Sequence, residues 1–404
     1  MKIGFDTSQT GNAKAGCGWL ADSLIRHLAE IDDQNEYVLY PTFGDAYWDA
    51  DGPQATVCID RPNFRRGLSH GTLAETRAFW QSPTPDLETQ LGAPDIVHAN
   101  NFFCPRGMDK SRLVYTLYDL MFLEYPESTT EANRIACFTG AFGASLRADF
   151  IVAISSYSRD HFLNTFPHYP PDRVRVVYPA SRFHLQAECA QPRRLAHLQP
   201  GRFWLNVGTI EPRKNQRRLL QAYARLKAQL GESFPLVLAG GKGWLMEDFS
   251  KFIDQLGLGG DVILPGYVEE NELQWLYQNC FAFLYPSLFE GFGLPVLEAM
   301  TLGAPVITSN KTSLPEVVGT DGLLVDPFSE ESIFNAMHQL ATGQVNRDIL
   351  RRQAMLRSRE FSWRSAAERV REVYEQVVEM PHLHATTTKR LPTTADQRLA
   401  AVPT

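Results

Sequence analysis

The sequence has 404 residues, 44% hydrophobic and 21% charged, with a net charge of −7. A length of this order divides into two domains, and the composition excludes a mostly disordered chain. An excess of acids over bases, 46 to 39, argues against a nucleic-acid binder held by a general positive field.

Apolar runs all fall short of the roughly 18 residues a membrane-spanning helix requires, so none is expected. The start, Met1–Phe5, turns acidic at Asp6 and reads as a first strand rather than a leader. Cys17, Cys58, Cys104, Cys137, Cys189 and Cys280 are dispersed without a Cys-x-x-Cys pair, which suits reduced thiols in the cytoplasm and gives no zinc or disulfide framework.

In chain order, β-branched and aromatic runs place strands at Ile3–Asp6, Tyr37–Tyr40, Ala55–Cys58, Asp95–His98, Leu113–Leu117, Phe150–Ile154 and Val174–Tyr178. Helical patterns fall between several of them; Leu20, Leu24, Ile25 and Leu28 share one face. The first strand leads into a glycine loop in which Gly16-x-Gly18-x-x-Ala21 formally matches a dinucleotide fingerprint. The loop is too long for that fingerprint, and the second strand ends in Tyr40-Pro41-Thr42 without an acid for a ribose. Gly11-x4-Gly16 lacks the Lys-Ser/Thr of a P-loop. What remains is a loop that brings backbone N–H groups to a helix start, or a plain connection. Asp49-Ala50-Asp51 has a metal-binding form but no second ligand nearby. Arg61-Pro62-Asn63-Phe64-Arg65-Arg66 mixes cations with an aromatic ring, a candidate contact with a membrane surface or a solvated loop. His98 closes a strand and is either an acceptor-side residue or an ordinary strand-end histidine.

Residues 181–199 lack a period and read as a linker. A second series then places strands at Trp204–Val207, Leu236–Ala239, Val262–Leu264, Phe281–Tyr285, Val306–Thr308 and Leu323–Val325. Helices are expected over Gln216–Leu230, Met246–Leu256, Glu270–Asn279, Leu294–Leu302, Glu330–Leu340 and Ser362–Val378. Beyond Met380 the chain is Thr- and Pro-rich and reads as a flexible tail. Two doubly wound α/β domains therefore face each other, with ligands expected at the carboxyl ends of the strands.

Two segments at such ends carry chemistry. Gly208-Thr209-Ile210-Glu211-Pro212-Arg213-Lys214-Asn215 follows a strand and opens a helix, with Asn215 as cap candidate. Arg213 and Lys214 suit phosphate oxygens there. Glu290-Gly291-Phe292-Gly293-Leu294-Pro295-Val296-Leu297-Glu298 puts two acids across a glycine turn at a helix start, suited to the hydroxyls of two parts of one ligand.

These two segments, with Gly303-Ala304-Pro305-Val306 and Ser313-Leu314-Pro315-Glu316-Val317, resemble retaining glycosyltransferases of family 4. The resemblance runs from Met1 to about Val378 and is most specific at the Glu290-x7-Glu298 stretch. It implies the GT-B fold, two Rossmann-like domains. Their expected bounds are 1–183 on the acceptor side, a linker at 184–199, a nucleotide-sugar domain at 200–360, a returning helix at 361–380 and a tail at 381–404. It implies transfer of a hexose, mannose first, from GDP-mannose or a UDP-hexose to a saccharide or lipid-linked saccharide, with no metal, cofactor or nucleic acid. Arg213 and Lys214 would hold the diphosphate, Glu290 the transferred sugar and Glu298 the ribose. Backbone groups of Phe292, Gly293 and Leu294, with Gly16 and Gly18, would meet the donor. Tyr118-Asp119 stands where the family often has His-Asp, so the role of that histidine is left open. Tyr118, Asp119 and His98 are the acceptor-side candidates. The setting would be polysaccharide assembly in the cytoplasm, with peripheral contact at the inner face of the membrane. The competing readings are a degenerate nucleotide-sugar-binding protein and an epimerase or phosphorylase of the same architecture; a phosphorylase would need a lysine for pyridoxal phosphate.

Overall fold

The structure is a computed structural model, and it describes residues 1–383 apart from 13, 45–51, 188, 232, 242 and 244–247. Asp49-Ala50-Asp51 and the greater part of the expected tail thus lie outside the described residues.

The first half runs β1 (Lys2–Asp6), α1 (Gly16–Ile31), β2 (Glu36–Tyr40), β3 (Phe64–Arg66), α2 (Leu73–Gln81), α3 (Leu87–Gln90), β4 (Ile96–Ala99), β5 (Arg112–Leu117), α4 (Met121–Glu124), α5 (Glu131–Arg147), β6 (Phe150–Ala153), α6 (Ser156–Thr165) and β7 (Val174–Val176). The second runs β8 (Trp204–Val207), α7 (Gln216–Leu230), β9 (Leu236–Ala239), α8 (Phe249–Gln255), β10 (Val262–Gly266), α9 (Glu270–Asn279), β11 (Ala282–Tyr285), α10 (Leu294–Thr301), β12 (Val306–Ser309), α11 (Leu314–Val318), β13 (Leu323–Val325), α12 (Glu330–Ala341), α13 (Arg347–Ser358) and α14 (Trp363–Glu379).

Seven strands form one parallel sheet in the order β3-β2-β1-β4-β5-β6-β7, and six form another, β10-β9-β8-β11-β12-β13. The order reverses beside β1 in the first sheet and beside β8 in the second. Those reversals put the loops after β1, β4, β8 and β11 at the crevices where such sheets bind ligands. Strands buried on both faces read as unbroken apolar runs, which is why most were legible.

Two expectations are corrected. Ala55–Cys58 is not a strand; a short helical turn at Pro53–Ala55 and extended chain occupy it, and the edge strand is Phe64–Arg66. The same finding corrects the solvated-loop reading of 61–66 for its second half alone: Phe64 is buried and stacked on Tyr37 with centroids 4.5 Å apart, Arg65 pairs with Glu36 and Arg66 donates to Pro53 and Thr56, while Arg61 and Pro62 form an exposed turn.

The segment 184–199 packs on the second domain, with Gln274 donating to the carbonyls of His184 and Ala187. α14 returns to the first domain and lies on α1. Its Trp363 indole donates to Ser181 O and stacks on His27, while Val370, Val373 and Val377 are buried. Residues 381–383, expected in the tail, are held: Arg173 donates to Pro381 O and Leu383 N–H to Asp149. No helix among the described residues is long and apolar enough to cross a membrane.

Candidate active site

β8 and β11 lie side by side, so the loops leaving them converge. The first makes a helical turn at Pro212–Lys214 and then α7, which matches Gln216–Leu230 as read from the periodicity. Asn215 precedes α7 in a left-handed conformation with φ 61° and does not cap it with its side chain; its amide instead donates to the carbonyls of Pro286 and Pro327. The expected cap is therefore a tie between the two loops.

This tie brings Arg213 and Lys214 against Glu290. Arg213 Nη1 lies 2.8 Å from Glu290 Oε2, and Lys214 Nζ 2.8 Å from Oε1. Arg213 also pairs with Glu211 at 2.6 Å, and Lys214 donates to the Tyr285 hydroxyl. Ser287 Oγ completes the shell of Glu290 at 2.7 Å. Burial alone would raise the Glu290 pKa. The charges of Arg213 and Lys214, with hydrogen bonds from Lys214 and Ser287, outweigh it and hold the carboxyl at about 2. Burial, then the charge of Arg213, pushes Lys214 down. The two cations are not a bare positive patch, because two acids balance them.

α10 begins just beyond. Gly293, its first flanking residue, has φ 107°, which a side chain would strain. Ser313 Oγ donates to the carbonyls of Glu290 and Phe292 and fixes the turn on which Phe292, Gly293 and Leu294 lie. Glu298, one turn into α10, is buried beside α9 and accepts from Tyr277 OH at 3.1 Å. Its carboxylate also pairs with Arg182 at 3.0 Å. Burial raises its pKa, and Arg182 opposes that. The guanidinium of Arg182 lies 4.4 Å over the Trp19 ring, so it ties Glu298 to α1. Reading the sequence does not single out Arg182: it stands in an aperiodic stretch, and nothing in its neighbours marks it.

The first domain closes the other wall. A Cβ at Gly291 would lie 2.6 Å from Tyr118 O and 2.9 Å from Asp119 Cβ, so the glycine turn abuts these two candidates. Burial raises the Asp119 pKa, with Arg213 lowering and Glu290 raising it, which places the carboxyl within the field of the cluster. Tyr118 is buried and donates to Asn100 O at 2.6 Å, so its hydroxyl is committed to the first domain. Gly16 opens α1, with open space where a Cβ would stand; Gly18 lies within the helix, where a Cβ would strike Gln9 O at 2.0 Å. Gly18 thus permits the loop to pack on α1.

His98 is corrected. It is fully buried, bonded to Tyr374 OH at 2.6 Å and Thr116 Oγ1 at 2.9 Å, and burial pushes its pKa down to about 3. It is a neutral core histidine joining β4 to α14, and it does not line the cleft.

Glu316, named above only as part of the resemblance, does more than its motif shows. Its carboxylate accepts the N–H groups of Ser156 and Tyr157 at 2.9 and 3.1 Å and the Tyr178 hydroxyl at 3.0 Å. A carboxylate of the second domain thus sits on the N-terminus of α6 in the first, where the helix dipole favours it. Ser158 Oγ adds a bond to Gly291 O at 3.2 Å.

Two α/β domains with such a cluster at facing strand ends define a glycosyltransferase of the GT-B class. In overall fold the chain is similar to a sucrose-phosphate synthase from Thermosynechococcus elongatus, with a TM-score of 0.71 at 20% identity, over 93% of this chain and 99% of that one. Residues 190–357 match the family model described as Glycosyl transferases group 1. An O-antigen chain mannosyltransferase B of Escherichia coli is 34% identical over 285 residues, 69% of this chain and 74% of that protein. A serotype-specific mannosyltransferase WbdA of Escherichia coli is 31% identical over 295 residues, 68% of this chain but only 36% of that longer protein. The chain belongs to the group 1 glycosyltransferases.

Proposed function

We propose that this chain is a retaining, metal-independent mannosyltransferase. It moves mannose from GDP-mannose to a saccharide or lipid-linked saccharide in cell-surface polysaccharide assembly. The names of the two E. coli relatives support the sugar and the setting. The observation that carries the chemistry is the fixed pairing of Arg213 and Lys214 with Glu290 beside the turn into α10.

Departure of a nucleoside diphosphate builds negative charge on its outer phosphate. Cations already held in place stabilise that charge without reorganising. Arg213 gives two fork donors and Lys214 a point charge. Glu290 positions both cations and presents an ionised carboxylate to the sugar hydroxyls. Glu298 receives the ribose hydroxyls when Arg182 yields. Retention follows if the acceptor attacks from the face the diphosphate leaves, a phosphate oxygen taking its proton, so no protein base is assigned. Contacts of Gly291 and Glu316 with the first domain bring the walls together and exclude water.

A stability panel of nucleotides and nucleotide sugars tests the donor, because a ligand that binds only the folded state raises its melting temperature. GDP and GDP-mannose are expected to raise it most; a larger rise with a UDP-sugar would reassign the base. Arg213→Ala and Lys214→Ala are expected to lower kcat at least on the order of a hundredfold, with EDTA without effect. A strict requirement for Mn²⁺ would refute the electrostatic assignment. Donor binding without transfer to any acceptor would instead indicate a binding protein.

A further inference from the structure

The first domain carries a second concavity that none of the assignments above uses. It is a groove of about 1080 Å³ between α5, the end of α2 and the loop after β4. Phe102, Ile135, Phe142 and Leu146 give it apolar walls, and Arg77 and Arg106 lie on its lining.

α5 is built the wrong way round for a plain surface helix. Its buried face is made of small residues, among them Gly140, Ala141, Gly143 and Ala144. Its large apolar side chains face out: Ile135, Phe138, Phe142 and Leu146 are 56, 43, 43 and 42% exposed. They recur at steps of three, four and four residues, which is one stripe on a helix, about 16 Å long at 1.5 Å per residue. Phe138 and Phe142 stack, with centroids 5.8 Å apart and planes 3° from parallel. Scattered exposed apolar residues are ordinary, but a continuous stripe beside a groove marks a binding surface.

The charge around it is as selective. The lining holds three arginines and no acid among the described residues, in a chain with more acids than bases. Arg147 braces the loop through the carbonyls of Cys104 and Pro105, while Arg106 is exposed. The groove lies one side chain away from the candidate site. The Phe102 ring is 5.3 Å from that of Tyr118, the neighbour of Asp119, and the loop after β4 rises from the strand ends that face the donor.

We propose that this groove holds the hydrocarbon chain of an amphiphilic, phosphate-linked acceptor, with Arg106 meeting the phosphate. The assignment rests on the transferase reading and narrows its acceptor to a lipid-linked one. Apolar walls would cover the chain, and cations on an otherwise acidic protein match the phosphate.

Farnesyl diphosphate is a suitable probe, titrated by calorimetry into the full chain with the donor site filled by saturating GDP. It is expected to bind at least on the order of a hundredfold tighter than inorganic diphosphate. An Ile135→Ser, Phe142→Ser double variant removes two exposed side chains and should still fold. It is expected to weaken the probe on the order of a hundredfold, about tenfold per side chain. Arg106→Glu should weaken it also. Equal affinity for the two diphosphates, or displacement of farnesyl diphosphate by GDP, would overturn the proposal. So would capture of the protein by bare phosphatidylcholine–phosphatidylglycerol vesicles, lost in the double variant, with no binding of the monomeric probe; the stripe would then be a membrane contact. Transfer to a short-chain, soluble acceptor is read in parallel and should be unchanged in the double variant. If the parent chain glycosylates the short-chain acceptor but does not bind the probe, the groove assignment falls and the transferase reading stands. If the probe binds but no acceptor of any length is glycosylated, the transferase reading falls and takes the acceptor assignment with it.

Discussion

Glu290→Gln keeps the shape of the side chain and removes its charge from between Arg213 and Lys214. The carboxyl is held at about 2 against an ordinary 4.5. That gap is worth about 3 kcal/mol of stability at 1.36 kcal/mol per pH unit. Because the folded-state value is depressed, the stabilisation is complete above the unfolded-state value near 4.5. It is lost as pH falls toward 2, with about 2 of the 3 kcal/mol gone by pH 3. In the variant, Glu211 alone faces two largely buried cations, which is costly in the same range. Urea unfolding of both proteins from pH 7 to pH 3 should show a gap of about 3 kcal/mol that narrows to about 1. Turnover should fall on the order of a hundredfold while GDP affinity is not weakened, since Arg213 and Lys214, the proposed phosphate ligands, remain. A gap under about 1 kcal/mol at pH 7, or one that does not change with pH, would refute the account of Glu290 as the anion that organises the site.

His98→Gln addresses the buried histidine. Its folded-state pKa lies near 3 against an ordinary 6.5, so the unfolded chain takes up the proton first and stability falls as pH drops below 6.5. About 2 kcal/mol should be lost between pH 7 and pH 5 in the parent and not in the variant, by urea unfolding; equal slopes would place the histidine in contact with water. Glu316→Ala leaves the N-terminus of α6 and the Tyr178 hydroxyl without their acceptor. Hydrolysis of the donor in the absence of acceptor should rise on the order of tenfold, read as free nucleotide; an unchanged leak would mean that this contact does not hold the walls together.

The fold was largely legible because both sheets are parallel and buried, so their strands stand out as short apolar runs between helical periods. The misplaced edge strand shows the limit of that signal. Phe64–Arg66 is three residues long and carries two arginines, as an exposed edge tolerates, whereas Ala55–Cys58 has the right composition and no partner. α13 escaped notice for a similar reason, since Arg347, Arg351, Arg352 and Arg357 obscure the buried Leu350 and Ala354. At the site, local spacing identified Arg213, Lys214, Glu290 and Glu298 as chemically suited residues. It could not show that the first three pair with one another, because that pairing joins positions 76 and 77 apart. Arg182 and the reach of Glu316 across the cleft depend on tertiary contacts alone, and His98 looked like a site residue because a strand end can point either way.

The hydrogen bond between His98 and Tyr374 spans 276 positions. α1 buries Leu20, Leu24 and Leu28 in the same cluster as Val370, Val373 and Val377 of α14. The amino-terminal domain is therefore unfinished when its own strands have left the ribosome. At roughly 5–20 residues per second, synthesis from the end of β7 to Tyr374 takes roughly 10–40 s. Throughout that interval an apolar helix face is uncovered. The second domain can complete its sheet first, and the first domain closes only when the returning helix docks. The last helix made is thus the one that closes the first domain's core.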